Sequence, residues 1–170
     1  MYWGHEMKKI MGFASLALVG ALGCTAPDNS AARDVVDRSA LSLADMVRRA
    51  ETSAQYGSGV EARLRVDDET YAIGTVESAT KHDVIVALDG EVVRVAAAGA
   101  AGSGCGTTIS LPEALAIAST EAGGDAVAVV PDDDDPCMRE IQVLVGDTLW
   151  EVKEGPDGSI IEKELSDEQL

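Results

Sequence analysis

The chain has 170 residues, enough for one ordinary domain or two small ones. Hydrophobic residues make up 46% and aromatic residues only 4%, so a core must be assembled from small aliphatic side chains. Thirteen basic residues face 30 acidic ones, for a net charge of −17, which speaks against a surface for nucleic acid or anionic lipid.

In chain order, Lys8 and Lys9 come first, and Ile10 to Leu22 then carries no charge. As a helix that run reaches about 20 Å, short of the roughly 30 Å hydrocarbon layer of a bilayer. A short apolar run behind lysines is a secretory signal. The residues before Met7 do not fit a signal start, which leaves both Met1 and Met7 as candidate initiators. Ala21-Leu22-Gly23-Cys24 resembles the lipobox of bacterial lipoproteins, in which the cysteine is diacylated and becomes the N-terminus. Residues 1–23 are thus expected to be a signal peptide, with Cys24 the lipid attachment site. Thr25 after the cysteine, by resemblance to Gram-negative lipoproteins, implies sorting to the outer membrane, at its periplasmic face. Residues 24–40 read as a tether, with a helical turn over Ala31 to Arg38.

Ser42 sits where a helix N-cap belongs, with Asp45 three residues on. Leu43, Met46, Val47, Ala50 and Ala54 then line one helical face. The period changes to two after the helix: Val60, Ala62, Leu64 and Val66 alternate with Glu61, Arg63 and Arg65. Asp67-Asp68 can turn the chain. Strands follow around Tyr71 to Glu77, His82 to Leu88 and Glu91 to Val95, with Asp89-Gly90 suited to a two-residue hairpin turn. Residues 96–108, rich in alanine and glycine, read as a linker. Ser110 and Glu113 form a second capping box, Pro112 sits in the first turn, and Leu111, Ala114, Leu115, Ala118 and Ala122 form the stripe. Gly123-Gly124 stops this helix. Strands are expected at Ala126 to Val130, Met138 to Val145, Thr148 to Lys153 and Ser159 to Glu164, and residues 166–170 read as a tail.

The two runs align without a gap at an offset of 68 positions, Ser42 on Ser110. Leu43 then meets Leu111, Ala50 meets Ala118, Ile73 meets Ile141, and Asp89-Gly90 meets Asp157-Gly158. The matched positions are a cap, an apolar stripe and a turn, which favours an internal repeat. The second copy resembles the PepSY domain: an opening Ser110-Leu111, an alanine-rich helix ending in Gly123-Gly124, strands at Arg139 to Val143 and Trp150 to Val152, and a closing Asp157-Gly158 turn. The first copy is similar at Ser42-Leu43, Tyr71-Ala72-Ile73, Val84 to Val86 and Asp89-Gly90. The resemblance implies an α+β fold of two tandem PepSY-like units, residues 41–95 and 109–165, each a helix packed on a small antiparallel sheet. It implies an inhibitory or ligand-binding module acting on a protein partner such as a secreted or envelope peptidase.

No catalytic constellation is legible. His82 lies between Lys81 and Asp83 with no nucleophile specified near it, and no Gly-x-Ser-x-Gly, His-Glu-x-x-His or phosphate-binding loop occurs. The expectation is a non-enzymatic protein without a cofactor. Outside the cytoplasm, Cys105 and Cys137 read as a disulfide. The run Asp132, Asp133, Asp134, Asp135 reads as a solvated hairpin tip. Its alternative is a calcium site, although four successive extended carboxylates cannot converge on one ion. Trp150 and Met138 are candidates for a partner surface, with core packing as the other reading. The remaining alternatives are an acidic ion-binding or small-ligand-binding lipoprotein and a purely structural envelope component.

Overall fold

A computed structural model describes residues 28–53, 57–101 and 105–170; Cys24 and the rest of the signal region lie outside them. The fold is α+β. Among the described residues three helices, α1 (Ser30–Arg38), α2 (Leu43–Ser53) and α3 (Leu111–Ala122), accompany one antiparallel sheet of eight strands. The strands are β1 (Ser58–Arg65), β2 (Thr70–Glu77), β3 (Thr80–Ala87), β4 (Val92–Ala100), β5 (Asp125–Pro131), β6 (Arg139–Val145), β7 (Thr148–Glu154) and β8 (Ile160–Leu165). Their order in space is β4-β3-β2-β1-β5-β6-β7-β8, which reads symmetrically outward from the β1–β5 join.

Both predicted caps organise their helices. The Asp45 amide donates to the Ser42 hydroxyl at 3.2 Å, and the Ser110 amide donates to Glu113 at 3.4 Å. Each frees a first-turn donor from facing solvent or core alone. Gly123 ends α3 at φ +78°, and its amide donates to the Ser119 carbonyl at 2.9 Å.

The apolar stripes of α2 and α3 pack against one another and on the same face of the sheet. Met46, Val47 and Ala50 of α2 and Ala114, Leu115 and Ala118 of α3 are buried over Ala62, Ile73, Val84, Val129, Ile141 and Val152. All belong to a single buried cluster. The helix and four following strands do occur twice. Yet α2 also touches β5, and α3 also touches β1, so each helix straddles the join rather than shielding only its own ribbon. Pairing β1 with β5 gives partners to main-chain groups that two separate sheets would leave at open edges.

Three local expectations change. Residues 30–38 form a helix whose Ala32 and Val35 are buried, so this part of the tether is core. The strand expected to end at Val95 continues through Ala100, five residues into the expected linker, because β3 supplies a paired edge along its length. The turn at Asp89-Gly90 spans residues 88–91. It closes with the Gly90 amide on the Ala87 carbonyl at 2.9 Å and the Ala87 amide on the Glu91 carbonyl at 2.8 Å.

The Cys105–Cys137 disulfide ties the segment entering α3 to the loop between β5 and β6. The Thr108 amide donates to the Pro156 carbonyl at 2.9 Å, fastening the same segment to the β7–β8 loop.

Candidate functional site

One face of a sheet with helices on the other must meet solvent, a covering segment or a partner. Here the cross-strand registers place Arg94, Ile85, Ala72, Arg63, Ala128, Gln142, Glu151 and Glu164 in one row across all eight strands, facing away from α2 and α3. The row is polar in both senses. Its β4–β1 half carries Arg94 and Arg63; its β7–β8 half carries Glu151 and Glu164.

The arginine half is open. Arg63, Arg65, Asp83 and Arg94 are exposed around a shallow hollow of about 300 Å³, with Ala72 and Ile85 on its floor. Arg65 is paired with Asp68, and Lys81 with Glu61 at 2.6 Å. Arg63 and Arg94 have no hydrogen-bond or ion-pair partner among the described residues. An unpaired guanidinium presents five donors in a planar fork suited to carboxylates, so this half is equipped to receive an anion.

The acidic half is crossed by the tail. The Ser166 amide donates to the Leu149 carbonyl at 3.0 Å, Gln142 donates to Glu168, and the Leu170 amide donates to Asn29 Oδ1 at 3.0 Å. Burial, then Glu164 and Glu168, raise the Glu151 carboxyl above its ordinary value. Burial and then Asp132 do the same to Glu140. Crowded carboxylates disfavour one another's charge, so this half resists a further anion.

The other residues singled out from the sequence do not join this face in one place. Asp132 is 3% exposed rather than at a solvated tip. Its Oδ1 accepts the amides of Asp134 at 3.0 Å and Asp135 at 2.6 Å, while Oδ2 pairs with Lys153. Asp135 accepts the Cys137 amide at 3.0 Å. Asp133 and Asp134 are exposed. The run is thus a loop built on its first carboxylate. Among the described residues no group of three His, Cys, Asp or Glu side chains converges to hold a metal ion. Trp150 is half-buried on the helix side of β7, with Lys163 Nζ 5.5 Å from its ring centre. Met138 is half-buried, and its carbonyl accepts the Asp132 amide at 3.1 Å. His82 lies within β3 opposite Thr75. A cleft of about 490 Å³ lies beside α1, but its Arg33 is already paired with Asp37 and with Asp125 at 2.8 Å. Arg63 could be placed facing outward from its alternation with Ala62 and Leu64; its neighbour Arg94, three strands away, had no such signal.

Lys153, followed by the Asp135 amide, holds the Asp132 carboxyl down at about 2, against an ordinary 3.8. A depressed folded-state value stabilises above the unfolded one, and that contribution is lost as pH falls from about 3.8 through about 2. Urea midpoints should therefore fall more for the native chain than for Asp132→Asn between pH 5 and pH 2. Parallel curves would refute the Lys153–Asp132 assignment.

No protein family matches the chain, and no curated protein sequence does. A crystal structure from Clostridium difficile 630, described as a "putative lipoprotein (CD1622)", is similar at 14% identity and a TM-score of 0.42, over 74% of this chain and 93% of that one. Likeness at that level carries no argument about function. Among the described residues no helix is long and apolar enough to cross a membrane.

Proposed function

We propose that this is a lipid-anchored, non-enzymatic protein of the cell envelope that binds a protein partner through the open half of its sheet. Two PepSY-like units build that sheet, and the partner class this resemblance implies is a secreted or envelope peptidase. The observation that carries the reading is the pair Arg63 and Arg94, without a partner among the described residues and exposed over Ala72 and Ile85 in a chain of net charge −17. The acidic body repels most acidic surfaces at long range, while two cations on its open face admit one whose carboxylates match their spacing. The repeated order of a helix and four strands, at the sequence offset from Ser42 to Ser110, supports the two units. The lipobox ending at Cys24 supports the anchor, since acyl chains supply about 0.8 kcal/mol per buried CH₂ that the acidic body cannot obtain by charge.

Two measurements on the full chain test this. Cys24→Ala should abolish incorporation of a labelled fatty acid and shift the protein from the membrane to the soluble fraction. Cross-linking in intact cells should recover a defined partner, and Arg63→Glu with Arg94→Glu should remove it. The same partner recovered equally by the reversed-charge chain would exclude this face.

A further inference from the structure

The outermost strands of the sheet differ in how they treat water. Strand β8 carries Glu162, Lys163 and Glu164 along its six residues. Charges of that kind discourage another strand from adding to an edge. Strand β4 is nine residues long, and Arg94 is its only charge in Val92-Val93-Arg94-Val95-Ala96-Ala97-Ala98-Gly99-Ala100. In a chain with 30 acidic residues it contains none. Val93 is 63% exposed, and every residue from Ala96 to Ala100 is exposed. On one side β4 pairs with β3; on the other no strand pairs with it among the described residues. Its outward main-chain groups thus offer a template for an added strand.

Resting on the proposed function, we propose that β4 is where the partner enters: an extended segment of the partner adds to the sheet as a ninth strand, with an acidic side chain opposite Arg94. The main-chain ladder supplies binding without demanding large side chains, which suits an edge of alanine and glycine. Arg94 lies on the open face in register with Ile85, so a carboxylate beside it would also stand at the rim of the arginine half. Bulges at Val93 and Ala98 interrupt β4, and between them Arg94 to Ala97 pairs regularly with β3, so this stretch, with small side chains at Ala96 and Ala97, is where the added strand registers. A basic residue at the same position would meet an unneutralised guanidinium.

The test uses a fluorescent nine-residue peptide of alternating valine and glutamate, with two controls. One replaces glutamate by lysine; the other carries N-methyl groups on alternate amides, in both registers, which keeps the side chains and removes strand pairing. The full chain should bind the acidic peptide with slowed amide exchange confined to β4. Binding should weaken about tenfold with Arg94→Glu, weaken with lysine in the peptide, and disappear in one N-methyl register. Three outcomes would overturn the proposal: no binding, equal binding of the lysine peptide, or protection on β1 and β2 without β4. Slowed exchange on β4 in the chain alone, rising with its concentration, would instead identify a second copy at this edge and would also overturn it. Arg63→Glu separates the two levels. A partner lost with Arg63→Glu but indifferent to the β4 results would leave the proposed function standing and this inference rejected.

Discussion

Arg139→Met is expected to lower the unfolding free energy at pH 7 by about 3 kcal/mol, and Arg139→Met with Glu154→Leu to recover most of it. The two residues face each other across β6 and β7 on the helix side. Glu154 is fully buried and Arg139 is 9% exposed. Neither Glu154 oxygen nor Arg139 Nη1 has a hydrogen-bond partner among the described residues; Arg139 Nη2 reaches the Ile109 carbonyl at 3.3 Å. Burial raises the Glu154 carboxyl above its ordinary 4.5, and Arg139 opposes that rise. Removing the cation leaves a buried carboxylate with no compensation. A raised folded-state value means that the protonated form is favoured in the core. That contribution is full below the unfolded value and is lost as pH rises through the folded one. The deficit of Arg139→Met should therefore grow between pH 4 and pH 8 in urea or thermal unfolding. A deficit that does not change with pH would show that Arg139 acts by packing alone. The double replacement removes every orphaned polar atom of the pair, so apolar contact substitutes for it.

Cys105→Ser with Cys137→Ser should cost about 2–4 kcal/mol, read as a lower thermal midpoint that a reducing agent reproduces in the native chain. The bridge closes a loop with a sequence separation of 32. It fastens a stretch whose hydrogen bonds among the described residues include the Thr108 contacts to the Pro156 carbonyl and the Arg139 contact to the Ile109 carbonyl. Loss of the bridge should spread beyond that stretch, because Leu111 at the start of α3 is 2% exposed and packs in the shared core. Identical midpoints with and without the bridge would mean that the segment is placed by packing alone.

What the sequence reveals here follows the range over which each physical cause acts. Caps at Ser42 and Ser110, the two helical stripes over their described residues and every strand but β4 are local patterns, legible to within a few residues. The extension of β4 into Ala96–Ala100 was missed because alanine and glycine have little strand preference of their own; pairing with β3 decides it. The burial of Ala32 and Val35 comes from joining a core whose other members lie far along the chain, which the local Ala32, Val35 and Val36 spacing cannot show. Asp132 read as one of four solvated carboxylates because its cation, Lys153, is 21 positions away. The candidate face was half legible. Alternation turned Arg63 outward, but only the sheet order brings Arg94 into its row and separates both from the carboxylates of β7 and β8.

The β1–β5 join registers only Ala62 with Val129 and Arg63 with Ala128, whereas the β2–β3 pairing runs through eight residue pairs. Main-chain bonding is therefore thinnest at the middle of the sheet, and the two helices laid across it act as a splint. The sheet creases most readily along that line, and Arg63 stands on it, so any load taken up by the arginine would be felt as a change of curvature in both halves.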